Sequence, residues 1–318
     1  MPVFLLIIAC ALWGVSFPPV KALHLEQTAR MPGVSSVFLS SWMQFARFGL
    51  SAVMLLPFLM RGKRPTAGEI RQGATLALWG GAGMWVQADG LAYTEASTSA
   101  FLTQAYCILL PLWACLCLRK APSSRVVIAT IMVMAGGAIL SGIRLEHLRL
   151  GRGEWETLLA AFLFTFQILA LENPKHRNNR GASVSFVMFL VITVLFIPIT
   201  VLSAPDLDAC LTAGASVPAF VLISSLALFC SVGAYVLMNV WQPRVSATEA
   251  GLIYTIEPAF TAGYVLFLPA ILGQFVGGDY PNEHLSTPMV VGGGLILAAN
   301  LLMQWKRPPH LPPSGPIS

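Results

Sequence analysis

Charge is what this chain has least of. Asp, Glu, Lys and Arg make up 10% of its 318 residues, where soluble globular domains carry roughly 25%. That shortage excludes the pair of ordinary water-soluble domains that length alone would suggest. The short patterns of common enzyme chemistry are missing too. There is no HExxH, no Gly-x-Ser-x-Gly, no Walker-type GxxxxGK[ST] and no second spanning aspartate to partner Asp89. An intramembrane hydrolase would need one of these sets. The chain is therefore not expected to be an enzyme or to be driven by ATP, and no cofactor or metal is expected. Cysteines 10, 107, 115, 117, 210 and 230 form no CxxC pair and read as small packing residues. Histidines 24, 147, 176, 284 and 310 read as lying in linkers or the tail.

Apolar length takes the place of charge. The chain is 56% hydrophobic, and a bilayer core about 30 Å thick needs roughly 20 mostly apolar residues per spanning helix. Ten runs meet this: about 3–23, 37–60, 70–92, 97–118, 125–143, 154–171, 183–203, 217–241, 247–268 and 286–305. The first lacks the basic leader and cleavage site of a signal peptide and reads as a retained span. The Pro-rich end, 306–318, reads as a disordered cytoplasmic tail.

The basic residues orient these spans. With the N-terminus inside, the inner linkers and tail hold 13 of the 19 Lys and Arg residues, as expected for cytoplasmic loops. Outer segments such as "APDLDA" and "GGDYPNEH" are acidic. Both termini are thus expected in the cytoplasm. The linker "RLEHLRLGRGEWE" runs against the rule, with its arginines outside. The basic balance is a topology signal and gives no case for nucleic acid.

The fifth and tenth runs resemble each other. "VMAGGAIL" (133–140) matches "VVGGGLIL" (290–297), and Pro111 in the fourth run answers Pro258 in the ninth. The fold class expected is an all-α polytopic membrane protein, with ten helices in two five-helix repeats, 1–143 and 154–305. Five being odd, the repeats are inverted, a recurrent plan in secondary transporters. The longer spacing in the second half is read as a loop insertion at 274–282.

Several stretches resemble the EamA family of the drug/metabolite transporter superfamily. They include "ALWGVSFPPVKAL", "FARFGLSAVMLLPFL", "TSAFLTQAYCILLPLWACL", "AYVLMNVWQPRVSATEAGLIYTIEPAFTAGYVLFL" and "EHLSTPMVVGGGLILAANLL". The family usually runs from the ninth span to a Gly-Glu pair. Here Gly273 is followed by Gln274, and the nearest matching acid is Glu283. The resemblance implies a central cavity and movement of small metabolites, amino acids or drugs, often outward, by exchange or ion coupling. It also implies a multi-pass protein of the bacterial inner membrane. A membrane-embedded enzyme, a channel and a non-transporting scaffold are the competing readings. The partners expected are the bilayer and a small solute, with a homodimer left open.

Glu257 is the residue hardest to explain as filler. It sits about halfway along the ninth run, where a charged carboxylate costs on the order of 2.5–3.5 kcal/mol. Pro258 beside it removes a backbone donor and breaks the helix, as Pro111 is expected to do in the fourth run. Both costs fall if the segment faces an aqueous path, which makes Glu257 the coupling-ion or proton candidate. The bland alternative is a neutral acid holding the kink. Arg47 reads as a structural partner in an ion pair or on backbone carbonyls. The polar and aromatic set Trp13, Ser16, Gln87, Gln104, Tyr106, Gln167, Tyr235, Asn239 and Tyr254 completes the candidate pathway. For each amide alone, an interhelical hydrogen bond is the plainer role. Gly80, Gly81 and Gly83 read as sites of close helix packing.

Overall fold

The computed structural model describes residues 1–117, 121, 124–140, 150–176, 178–245 and 247–304. Every regular element among them is helical. In the first half these are α1 (Pro2–Gly14), α2 (Phe17–Arg30), α3 (Ser36–Met60), α4 (Ala67–Leu76), α5 (Ala82–Gly90), α6 (Ala96–Thr103), α7 (Tyr106–Cys117) and α8 (Ser124–Leu140). The second half holds α9 (Arg152–Glu172), α10 (Gly181–Ser203), α11 (Leu207–Thr212), α12 (Val217–Ser225), α13 (Ala234–Trp241), α14 (Ala247–Tyr254), α15 (Glu257–Val265), α16 (Leu268–Val276) and α17 (Thr287–Gln304). Wider π-helical turns join α4 to α5 (Ala77–Gly81) and α12 to α13 (Leu226–Gly233).

The polarity of the bundle is inside out. On α3 the buried face carries Ser40, Gln44, Arg47 and Ser51, three or four residues apart, while Val53, Leu56 and Phe58 point outward. Leu202 is 85% exposed and Phe220 66%. A helix that hides its polar stripe and shows its apolar one is built for lipid. Among the described residues five helices are long and apolar enough to cross a membrane: Pro2–Arg30, Ser36–Met60, Arg152–Glu172, Gly181–Ser203 and Val217–Arg244. Counting α15 and α16, bent 59° to one another, as one broken span makes six. The other runs are shortened by helix interruptions or reach into undescribed residues. The 306–318 tail and residues 144–149 of the 144–156 linker lie outside the described residues.

Four expectations need correction. The first run does not end near residue 23: it breaks at Val15–Ser16 and continues as α2 to Arg30, because Pro18 and Pro19 fit the first turn of a new helix. His24 is therefore no linker residue; it lies in α2, 5% exposed, beside Ser40. Position 111 does not break its helix, since α7 runs through it and the interruption lies at Gln104–Ala105. A membrane helix tolerates one lost hydrogen bond when neighbours enclose it. The insertion at 274–282 is also partly helical, because α16 continues to Val276, where Gly277 ends it at φ 70°. Only a residue without Cβ takes that conformation freely.

Glycines set the closest helix approaches. A Cβ on Gly83 would stand 2.7 Å from the Phe164 ring, and one on Gly81 2.9 Å from Ile192. On α8, a Cβ at Gly136 would lie 2.6 Å from the Gly292 carbonyl of α17. The two matching glycine segments thus pack against one another.

Candidate functional site

Three interrupted helices converge in the middle of the bundle. The breaks fall at Val15–Ser16, Gln104–Ala105 and Thr255–Ile256. At the first, Ser16 donates its hydroxyl to the Trp13 carbonyl at 2.7 Å. At the third, Pro258 occupies the first turn of α15, where its missing N–H costs nothing. Glu257 opens α15 and so projects from a helix start rather than from mid-helix. Gly14 lets α1 cross this start closely: a Cβ there would lie 3.1 Å from the Glu257 carbonyl. Thr261 Oγ1 donates to the Gly14 carbonyl at 3.2 Å across the same crossing. Thiols reach the other side of the break. Cys107 Sγ lies 3.1 Å from the Gly251 carbonyl and Cys10 Sγ 3.6 Å from that of Ile253. Last-turn carbonyls are the ones a helix leaves short of donors.

Beside these breaks lies a cavity of about 70 Å³. Of the candidate pathway residues, Trp13, Ser16, Gln87, Tyr106, Gln167, Tyr235, Tyr254 and Glu257 line it. Gln104 and Asn239 do not. Gln104 is fully buried at its break, and Asn239 donates to Ser185 Oγ at 2.9 Å on the far side of α13. Met84, Thr103 and Phe164 also line the wall. Sequence reasoning missed them because apolar residues, and a threonine that can bond its own helix backbone, carry no sign of which face of a membrane helix they occupy.

The aromatic wall is ordered. The Trp13 ring stacks 5.2 Å from Tyr235 and 5.4 Å from Tyr254. Tyr254 donates its hydroxyl to Gln242 Oε1 at 2.8 Å. Gln87 is held by a 2.7 Å hydrogen bond to Thr103. Two buried donors on this wall, Trp13 Nε1 and Gln167 Nε2, have no partner. Gly80 lets the second come close: a Cβ there would lie 2.4 Å from Gln167 Nε2.

Arg47 also lines this cavity, 5% exposed. Its Nε donates to Ser231 Oγ at 2.7 Å and its guanidinium lies over the Phe48 ring at 5.2 Å. It forms no ion pair with a described carboxylate, and neither does Glu257 form one with a described cation. A basic and an acidic side chain therefore face one hollow, neither of them neutralised by a salt bridge.

The two ends of the bundle are tied by ion pairs. At one end Arg180, at the start of α10, holds Glu69 of α4 through Nε at 2.8 Å and Nη2 at 2.9 Å. The Arg180 hydrogen bonds hold the Glu69 carboxyl down at about 2, from an ordinary 4.5. At the other end Arg152 of α9 pairs with Asp89 of α5 and with Glu156 at 2.7 Å. It also lies 4.3 Å over the Tyr93 ring. Lys21 bonds the Thr94 carbonyl and Glu95 nearby.

Comparison with known proteins follows the same lines. The model of the EamA-like transporter family matches residues 1–142. A curated relative from Archaeoglobus fulgidus, named an uncharacterized transporter, is 24% identical over 275 residues, 85% of this chain and 78% of that protein. Residues 1–142 are thus similar to the EamA-like transporter family. A solved crystal structure whose description states no activity aligns with 92% of this chain and 95% of its own, at TM-score 0.53 and 14% identity. That likeness concerns the fold alone. The EamA match over residues 1–142, the transporter-named relative and the apolar helices support a multi-pass membrane transporter.

Proposed function

We propose that the protein is a secondary transporter for a small polar metabolite of amino-acid-like size, working as an exporter or exchanger by alternating access around the central cavity. One observation carries the reading: broken helices, unpaired buried donors and the uncompensated Arg47 and Glu257 all meet in one hollow. Unsatisfied polar groups at membrane depth are costly unless water or a solute completes them. The hollow, about 70 Å³, is below the roughly 300 Å³ at which ligand pockets begin. A solute therefore requires the walls to part, as in an occluded stage of a transport cycle.

The two-repeat plan is supported by features that recur at the same place in each half. Pro57 lies inside α3 and Pro198 inside α10. The π-helical turns fall in the third and eighth runs, and interruptions in the fourth and ninth. Equivalent elements meet their counterparts, α3 against α10 and α8 against α17, while α5 packs on α9 as α13 does on α1. We therefore propose ten spans in two inverted repeats, with the Glu69 end and both termini in the cytoplasm of a bacterial inner membrane.

A metabolite screen on proteoliposomes tests the function. Wild type should give saturable flux of at least one polar solute, and Glu257→Gln should lower it about tenfold or more, with insertion intact and the pH dependence flattened. Undiminished flux with the wild-type pH profile in the variant would remove Glu257 from the mechanism. Non-saturating current would favour a channel. Single cysteines at Lys63 and Lys175 should react only from the cytoplasmic side.

A further inference from the structure

A second cavity, of about 460 Å³, lies at the Glu69 end of the bundle between α4, α10 and the end of α13. It takes no part in the proposed pathway. Three basic side chains stand on its wall: His176, Arg180 and Arg244. The nearby acid, Glu69, is already committed to Arg180 on both oxygens. Arg244 forms no ion pair with a described carboxylate. It is exposed, and its guanidinium lies flat on Trp241, 3.9 Å from the ring centre. Burial first, then the charges of neighbouring Arg71 and Lys175, lower the affinity of His176 for a proton, and those two charges add to the positive field of Arg244.

Two further features suit an anion. The cavity reaches Gly181, the first residue of the 23-residue helix α10; Glu69 Oε1 accepts from the Arg180 N–H at its start at 2.9 Å, and the N-cap side chain caps none of the first-turn N–H groups that follow. First-turn N–H groups and the helix dipole there favour negative charge. Asn239, 4% exposed, also stands on the wall, and its amide oxygen has no partner. The Ser185 hydroxyl it bonds can donate as well as accept. A half-turn of the amide offers NH₂ donors to a bound anion if Ser185 turns its hydroxyl from the Gly181 carbonyl to the amide oxygen, at the cost of that one bond.

We propose that this cavity binds a phosphate-bearing anion, a phosphomonoester or phosphodiester held by Arg244, His176 and the α10 N-terminus. An anionic phospholipid headgroup and free phosphate share this chemistry, since basic pockets between membrane helices bind headgroups and Arg suits phosphate oxygens. The site does not depend on what the central cavity carries.

The full chain in nanodiscs separates the two sources. Native mass spectrometry on discs containing phosphatidylglycerol should show retained lipid if a headgroup fills the site. Titration of inorganic phosphate into purely phosphatidylcholine discs should show saturable binding if free phosphate does. In either case Arg244→Gln combined with His176→Gln should weaken binding about tenfold, since both side chains lie outside the Glu69–Arg180 pair. A readout on wild type guards against a variant that misfolds: bound anion should move the His176 ring titration upward. Retention of neither ligand, equal retention by the double variant, or a His176 titration unmoved by saturating ligand would overturn the proposal.

Discussion

At the scale of single residues, the account rests on side chains whose cost is met only by the site they share. Glu257 and Tyr254 are legible in the sequence because a charge or a hydroxyl in an apolar run stands out. Arg47 stands out equally, yet its role does not follow from sequence: nothing local says that its guanidinium finds Ser231 and the cavity rather than an acid. Gln104 and Asn239 look equivalent to Gln87 and Gln167 in the sequence. They miss the cavity because Gln104 is buried at its own helix break and the Asn239 amide is drawn to Ser185 of α10. Glu69 gives a residue-scale prediction. Its folded carboxyl titrates at about 2 against an ordinary 4.5. Its pairing stabilises the protein above the ordinary value and is lost as pH falls from there through the folded one. Thermal unfolding in detergent should show Glu69→Gln less stable than wild type at pH 6, with the gap closing as pH approaches 2. A gap constant with pH would separate Glu69 from that stability.

At the scale of elements, the breaks decide the site. "EPAF" announces the one at Glu257, and "SFPP" carried an equally plain signal for the one at Ser16, since two prolines in succession fit only a first turn. The break at Gln104 has no proline and was placed at Pro111 instead; backbone interruptions held by tertiary contacts leave no such mark. Thiols are part of what holds the ninth-run break. Cys107→Ala should cost about 1 kcal/mol by removing a donor to the Gly251 carbonyl, whereas Cys107→Ser keeps one. Unfolding midpoints of the two variants should differ in that order, and equal midpoints would deny the thiol its capping role. Gly80→Ala tests the α5–α9 seam. Its Cβ would stand 2.4 Å from Gln167 Nε2, so transport should fall more than expression does; unimpaired flux would show that Gln167 need not hold its place.

At the scale of the whole molecule, membrane-length apolar helices were readable from run lengths, whereas the glycine match was read as a repeat and not as the α8–α17 contact it makes. The ion pairs at the two ends were not readable, because Glu69 and Arg180 are 111 residues apart and only the packing of α4 on α10 brings them together. These pairs tie α4 to α10 at one end and α5 to α9 at the other, so each joins the two halves. An exposed pair is worth roughly 0–1 kcal/mol, and Arg152, 48% exposed, sits in that class. Arg152→Ala should therefore raise access to the cavity from the Asp89 end by a few-fold, without changing access from the Glu69 end.

The most direct measurement is cysteine accessibility in sealed vesicles of both orientations. A cysteine-free chain carrying Gln87→Cys, on the wall of the central cavity, would be exposed to a membrane-impermeant maleimide from each side in turn. If two inverted halves rock around one hollow, the residue reacts from both sides. Reaction from one side alone, or from neither, would contradict alternating access.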